Sequence, residues 1–373
     1  MRGVAKRGVR SRGLAPRFYF GRASRVLCAL AIAIFAGACL NVEIPLFSSG
    51  GALQERVLRG ERGPKILLVD LSGTLGLRAS GRLLGLPAGE SPVARFREEL
   101  DRAKRDDEIA ALVLRIDSPG GTVIASEILH GELERWKRET GRPVVAQLMG
   151  VAASGGYYVA MAADRVQAYP ATITGSIGVI MLGFNASGLM EKVGVDYQTF
   201  TSGAFKDAGS PFRPLTHAER EQLSSVVRDL FAGFLDVVER GRPKLARAEI
   251  ERLADGRIYS ARQALAAGLI DTIGDLEQAI GAAEQAAGVA GETRLVAYRR
   301  PGERSENLFS AASSALMAEA GAAQLRGALA ESSFLFWWPG GANPSALIEV
   351  LSASAATPLA HGRDASALEE ASQ

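Results

Sequence analysis

Val144-Val-Ala-Gln-Leu-Met-Gly150-Val-Ala-Ala-Ser154-Gly155-Gly156-Tyr157-Tyr158-Val-Ala-Met-Ala-Ala163 is the stretch on which the fold turns. Val144–Leu148 reads as a buried strand, and the small, apolar residues from Gly150 on read as the start of a buried helix. A serine at such a strand-to-helix junction lies where a helix N-terminus presents unpaired N–H groups and partial positive charge, which favours a developing oxyanion. Gly155 and Gly156 carry no Cβ, so another backbone can approach Ser154 closely. Taken alone, an Ala/Ser/Gly run is better explained by tight packing of a helix on a sheet.

Working outward, the same alternation recurs. Ile66–Leu71 is a continuous apolar strand. Ser91-Pro92 is an N-cap with proline at the first helical position, opening a helix to about Arg105. Ala111–Ile116 is a second buried strand, ending in Asp117-Ser-Pro-Gly-Gly121, and a helix follows it to about Glu139. Unbroken apolar strands alternating with helices imply a sheet covered on both faces, an α/β domain. Gly120-Gly121 and Ser154 then lie at the carboxyl ends of neighbouring strands, on one edge of the sheet. Two backbone N–H groups from the two glycine segments would make an oxyanion hole. Thr216 and Glu219 form a capping box heading a long amphipathic helix to about Glu239. Past residue 290 the pattern weakens. Residues 310–330 are Ala-rich, Phe334–Trp338 is an aromatic cluster, and 352–373 has the Ala/Ser-rich composition of a segment that does not pack.

The 373 residues allow two domains, or one domain of about 230 residues with appendages. The net charge of +2 conceals a segregation. Residues 1–25 carry eight basic side chains and no acid, so the remainder carries −6. Basic charge confined to one terminus speaks for membrane orientation and against a nucleic-acid partner. Next comes Val26–Leu40, an uncharged apolar run of 15 residues, short against the roughly 20 that a span requires. It reads as an uncleaved anchor, a cleaved signal, or a lipoprotein signal ending at Cys39. All three readings carry the body out of the cytoplasm. The resulting plan is a basic cytoplasmic segment (1–25), an anchor or signal segment (26–47), a linker (48–63), the main domain (64–290), an extension (291–351) and a tail (352–373).

Both cysteines, Cys28 and Cys39, fall in the apolar segment, which leaves the body no thiolate nucleophile and no Cys-ligated metal. The absence of a phosphate-binding glycine loop argues against ATP hydrolysis, and no Gly-x-Ser-x-Gly elbow is present. A nucleophilic serine needs a base. His217 is explained as a first-turn residue beside the capping box, His130 as a solvated residue on a charged helix face, and His361 lies in the tail. Lysine can serve where burial lowers its pKa. Lys206 stands in Thr201-Ser-Gly-Ala-Phe-Lys206-Asp-Ala-Gly-Ser-Pro-Phe212, a Gly-flanked loop with few other charges. Ser202 is a rival nucleophile, although Gly203 disfavours a rigid helical Ser202–Lys206 pair.

Asp117-Ser-Pro-Gly-Gly121, then Ala152-Ala-Ser-Gly-Gly-Tyr-Tyr158, then Thr174-Gly-Ser-Ile-Gly-Val179, then Ser202-Gly-x-x-Lys206-Asp-x-Gly-Ser-Pro-Phe-Arg213 follow in order. Together this combination resembles signal peptide peptidase A in its short single-repeat form. The resemblance covers roughly residues 64–290, including Gly256-Arg-Ile-Tyr-Ser-Ala-Arg-Gln-Ala-Leu-Ala-Ala-Gly-Leu-Ile-Asp271. It implies the Clp-protease/crotonase-like fold, a superhelix of ββα repeats, and a Ser–Lys dyad needing no cofactor. Ser154 matches the nucleophile, Lys206 the general base, Ser176 the serine that hydrogen-bonds the lysine amine, and Gly120 and Gly155 the oxyanion donors. It further implies a ring-like homo-oligomer on the membrane lipid, with neighbours sharing each site, that degrades peptides left from signal sequences. Two alternatives stand: an anchored scaffold without activity, and an acyl-CoA hydratase or isomerase of the same fold.

Overall fold

In the computed structural model, residues 51–77, 82–83, 86–87, 90–303 and 334–337 are described. The segment 26–47 with Cys39, the tail 352–373 and most of 291–351 lie outside them. Among the described residues no helix is long and apolar enough to cross a membrane.

The chain opens with strands β1 (Gln54–Arg59) and β2 (Lys65–Ser72), then the short pair β3 (Arg82–Leu83) and β4 (Leu86–Pro87). Helix α1 (Pro92–Lys104) leads to β5 (Ile109–Ser118) and β6 (Gly120–Thr122), and α2 (Val123–Thr140) to β7 (Val144–Ala153). After α3 (Gly155–Ala160) come β8 (Arg165–Ala168), β9 (Ile173–Gly175), β10 (Ile180–Met181) and α4 (Ser187–Val193). The long α5 (His217–Gly241) precedes α6 (Arg247–Leu253), β11 (Ile258–Ser260), α7 (Ala261–Ala266) and β12 (Thr272–Ile273). Helix α8 (Leu276–Ala286), β13 (Arg294–Arg299) and β14 (Phe334–Trp337) complete it.

The main sheet runs β1-β13-β2-β5-β7-β8-β12, with β9 added to β7 and β11 to β9. Every pairing from β13 through β12 is parallel, as is β7 with β9, while β1 and β11 pair antiparallel. This is the α/β architecture expected from the apolar strands, and the reason is visible residue by residue. On β2, Leu67, Val69 and Leu71 face the core shared with Phe96 of α1 and Leu129, Leu133 and Trp136 of α2. Ile66 and Leu68, one step out of phase, face Leu276, Ile280 and Ala283 of α8. Both faces are covered, so the strand has no polar face to alternate with.

Local signals at the helix ends hold as well. Ser91 Oγ accepts from the Ala94 N–H at 3.3 Å with Pro92 first in α1, and Thr216 and Glu219 form the capping box of α5. Two boundaries differ. Strand β7 continues five residues past Leu148, because Ala152 and Ala153 pair with Thr174 and Gly175 of β9. The sheet also reaches beyond 64–290: β1 lies in the stretch taken as a linker and pairs with β13, past residue 290.

Candidate active site

Ser154 follows the last residue of β7 and precedes the first of α3. Its φ of 50° is positive, and so is that of Ser176 (49°). They are the only non-glycine residues with positive φ among the described residues. Each such conformation costs about 1–3 kcal/mol and persists only where the surroundings impose it. The imposing element is the parallel pairing of β7 with β9: Ala153 is in register with Gly175, so the two strained serines leave the sheet side by side. The Ser154 N–H donates to the Gly175 carbonyl at 2.7 Å, and the Ser176 N–H to the Arg257 carbonyl at 2.8 Å. Ser154 is 1% exposed, and its Oγ is buried without a hydrogen-bond partner. A buried hydroxyl is ordinarily satisfied, and as N-cap residue Ser154 does not bond the first turn of α3 either.

Beside it the glycines do what their missing Cβ atoms suggest. A Cβ on Gly155 would lie 2.4 Å from Ser126 Oγ and 3.1 Å from the Gly120 Cα. One on Gly156 would lie 2.8 Å from the Ser118 carbonyl oxygen. Gly120 has φ +102°, and its Cβ would come within 2.8 Å of the Gly155 nitrogen. The two expected oxyanion donors are therefore neighbours at the first turn of α3, where helix N–H groups lack partners within the helix. The Gly120 N–H is engaged, donating to Ser118 Oγ at 3.1 Å.

Lys206 lies on a different kind of surface. Residues 183–214 form an arm whose α4 buries none of its side chains. Lys206 is exposed, and its amine has no hydrogen bond or ion pair among the described residues. The Ser154 hydroxyl has no partner, so the two are not joined within this chain. Ser202, the rival nucleophile, is exposed on the same arm. The arm is tied down behind Lys206: Arg213 holds Asp207 at 2.7 Å and both Glu219 oxygens at 2.6 and 2.9 Å, anchoring the loop on the capping box of α5. That guanidinium pulls the Glu219 carboxyl down to about 2.

Among the histidines, His217 is the exposed first residue of α5, as expected. His130 is a correction. It is 6% exposed, its ring edge-on to Tyr158 at 5.3 Å, and burial pushes its pKa down to about 4. The neighbours Glu127 and Glu134 suggested a solvated face, but His130 shares its helix face with buried Ser126, Leu129 and Leu133. That spacing, present in the sequence, was the better signal.

Further residues position the serine. Asp117 Oδ1 accepts the Val151 N–H at 2.9 Å, and Ser118 Oγ donates to the Gly73 carbonyl at 2.6 Å, which fixes the loop beneath Gly120. The Gly256–Asp271 motif buttresses the far side. Tyr259 packs on Gly175, the Leu269 carbonyl accepts the buried Tyr157 hydroxyl at 2.7 Å, and Asp271 accepts the Val166 N–H at 2.7 Å.

Comparison with known proteins addresses the family to which the chain belongs. Residues 136–290 match the model of peptidase family S49. The chain is 33% identical over 234 residues to an Enterococcus faecium protein named as a putative signal peptide peptidase SppA, covering 63% of this chain and 67% of that one. It is 42% identical over 169 residues to a Synechocystis protein also named as a protease, covering 45% of this chain and 60% of that one. A chloroplastic serine protease SPPA of Arabidopsis thaliana is 32% identical, with 68% of this chain and 37% of that protein aligned. The chain thus spans two thirds of the first relative's length and less of the others. Taken with the ordered motifs and the strained serine pair, these matches make the chain a member of peptidase family S49, the signal peptide peptidase A family of serine peptidases.

Proposed function

We propose that the protein is an endopeptidase with Ser154 as nucleophile and Lys206 as general base, anchored to a membrane by residues 26–47 and degrading cleaved signal peptides. The observation that carries this reading is the buried, unpartnered Ser154 Oγ on a strained residue beside the Gly120–Gly155 contact. In the reaction, neutral Lys206 takes the Ser154 proton as Oγ attacks the peptide carbonyl. The N–H groups of Gly155 and Gly120 receive the oxyanion, Gly120 exchanging Ser118 Oγ for it. Collapse of that intermediate breaks the peptide C–N bond as protonated Lys206 gives its proton to the leaving amine, and water, its proton taken by Lys206, then hydrolyses the acyl-enzyme ester to free Ser154. Ser176, side by side with Ser154, orients the amine.

Lysine is a base only where burial disfavours its charged form, and Lys206 is exposed in the single chain. The reading therefore includes a homo-oligomeric ring of Clp-protease/crotonase-like subunits, in which Lys206 of one subunit reaches Ser154 of its neighbour. Support comes from the arm itself. Phe184, Leu189, Val193, Val195 and Phe200 are 62, 64, 64, 50 and 95% exposed, a run of apolar surface of the kind that marks an interface. A closed ring is how identical head-to-tail contacts avoid growing into a filament.

Labelling with a fluorophosphonate probe, which phosphonylates a nucleophilic serine with loss of fluoride, followed by mapping of the modified peptide, tests the assignment. Modification of Ser154, absent in Ser154→Ala and strongly slowed in Lys206→Ala, is the expected result. Labelling confined to another residue, or none in the assembled full-length protein, overturns it.

A further inference from the structure

Lys206 is followed directly by a carboxylate, Asp207. For a lysine that must give up its proton this is an unfavourable neighbour. An opposite charge within about 4–6 Å favours the ammonium form by about tenfold or more, and a salt bridge would hold the amine in place. Both oxygens of the carboxylate are engaged elsewhere. Oδ2 accepts from Arg213 Nε at 2.7 Å, and Oδ1 accepts from the Tyr197 hydroxyl at 3.1 Å. Arg213 Nη2 also donates to the Asp207 carbonyl at 3.0 Å, so the guanidinium grips the residue by side chain and main chain together. The Asp207 side chain is 16% exposed as a result.

The local sequence explains how the grip forms. The Ser210 N–H donates to the Asp207 carbonyl at 3.2 Å, and Gly209, at φ +85°, turns the chain back so that Arg213 faces Asp207. The rest of the guanidinium fork is filled by Glu219, whose Oε2 also accepts the Thr216 N–H at 2.9 Å. Five donors in a rigid plane can serve two carboxylates and a carbonyl at once, which a lysine at 213 could not. Tyr197 is steadied in turn by the Phe212 ring at 5.3 Å. The other charged groups lining the hollows on either side of Arg213 are Glu191 and Asp196 on the arm and Arg220 and Arg228 on α5. Arg228 is paired with Glu221, and among the described residues none of the four is paired with Lys206 or Asp207.

Resting on the reading of Lys206 as general base, we infer that Tyr197 and Arg213 are positioning residues for its amine: they sequester the Asp207 carboxylate, so that Lys206 meets a neighbour's Ser154 without a salt bridge of its own. Charge counting gives the sign. Asp207, Glu219 and Arg213 together carry one negative charge, two in Arg213→Gln, and one again in Arg213→Gln/Asp207→Asn. Released negative charge beside the amine holds its proton more tightly and moves the reaction to higher pH.

The experiment measures, in the assembled full-length protein, the rate of Ser154 labelling by the fluorophosphonate probe from about pH 6 to about pH 10.5. Arg213→Gln is expected to displace the rising limb to higher pH and to slow labelling at neutral pH by about tenfold, with far less loss at the alkaline end. The double variant Arg213→Gln/Asp207→Asn should return the limb to its wild-type position. Arg213→Lys, which keeps the charge without the fork, should fall between Arg213→Gln and wild type. Tyr197→Phe, which frees only one carboxylate oxygen and keeps the ring on Phe212, should displace the limb in the same direction by less. This last variant decides the matter if Arg213→Gln does not assemble. Slower labelling at every pH with an unmoved limb, in Arg213→Gln and Tyr197→Phe alike, overturns the inference and leaves the cluster as a brace for the loop. A limb that stays displaced in the double variant also overturns it, because Asp207 is then not the charge released. Failure of the Lys206 assignment itself looks different: Lys206→Ala then keeps the wild-type rate and pH profile.

Discussion

The surroundings of Ser154 and of Lys206 contrast at every level. Around Ser154, Tyr157 and Val159 are fully buried, the backbone is held in a strained conformation by two paired strands, and glycines bring three segments together at distances a Cβ would forbid. Around Lys206, α4 buries nothing and Phe200 is 95% exposed. The serine side is completed by its own chain. The arm is held in shape by Arg213, Asp207 and Glu219, while among the described residues the side chains of α4 stay unburied. Under the proposed pairing of Ser154 with Lys206, the exposed arm would need a second surface, and the proposal therefore makes assembly a condition of the chemistry.

The sharpest way to break this contrast is to remove the reacting groups. Ser154→Ala and Lys206→Ala are each expected to lower kcat by about 10³-fold or more, with the double variant no worse than either. Retention of more than about a tenth of wild-type kcat by Lys206→Ala rules out its role as general base. Mixing the two inactive chains then asks where the halves meet. Recovered activity is expected, from sites pairing an intact Ser154 with a neighbour's Lys206. Persistent inactivity in a mixture shown by tag pull-down to exchange subunits places the dyad within one chain.

A second contrast is between stability and assembly. Phe234, fully buried among Tyr158 and Phe336, should cost about 3–5 kcal/mol when cut to alanine, read by denaturant unfolding. Phe200→Ser on the arm should change unfolding by no more than about 0.5 kcal/mol yet reduce the sedimenting species and the activity together. If Phe200→Ser leaves both untouched, the arm's apolar surface is not the contact that completes the site.

Legibility in the sequence divided along the same line. Ile66–Leu71, Ser91-Pro92 and Thr216/Glu219 signal their elements through contacts within a few residues, and the structure contains each of them. The nearness of the Gly120 and Gly155 segments was legible in the strand order, whereas Ser176 was legible only through the resemblance, because the register of β7 with β9 that unites Ser154 and Ser176 is a non-local pairing. The extension of β7 to Ala153 was hidden by its glycine and alanines, which have weak strand propensity and are held by β9. Phe334–Trp337 showed strand-forming composition but could not announce that its partners are Gly120–Thr122 and Ile180–Met181, more than a hundred residues away.

The smallest expected effect tests how closed the serine side is. His130 packs under Tyr158, and burial, the dominant influence, lowers its pKa from 6.5 to about 4. Glu134, with a carboxylate oxygen 3.8 Å from Nε2, acts in the opposite direction, while Arg240 and Lys137 reinforce burial. Between pH 6.5 and pH 4 the unfolded chain binds a proton that the folded chain refuses. The contribution is therefore fully present above about pH 6.5 and is lost as pH falls towards 4. Between pH 7 and pH 4.5 the wild type should lose roughly 2 kcal/mol more unfolding free energy than His130→Gln, which has no such proton to bind. Parallel pH profiles for the two proteins would mean that His130 titrates as if in water. The aromatic cluster behind Ser154 would then open as readily as the arm.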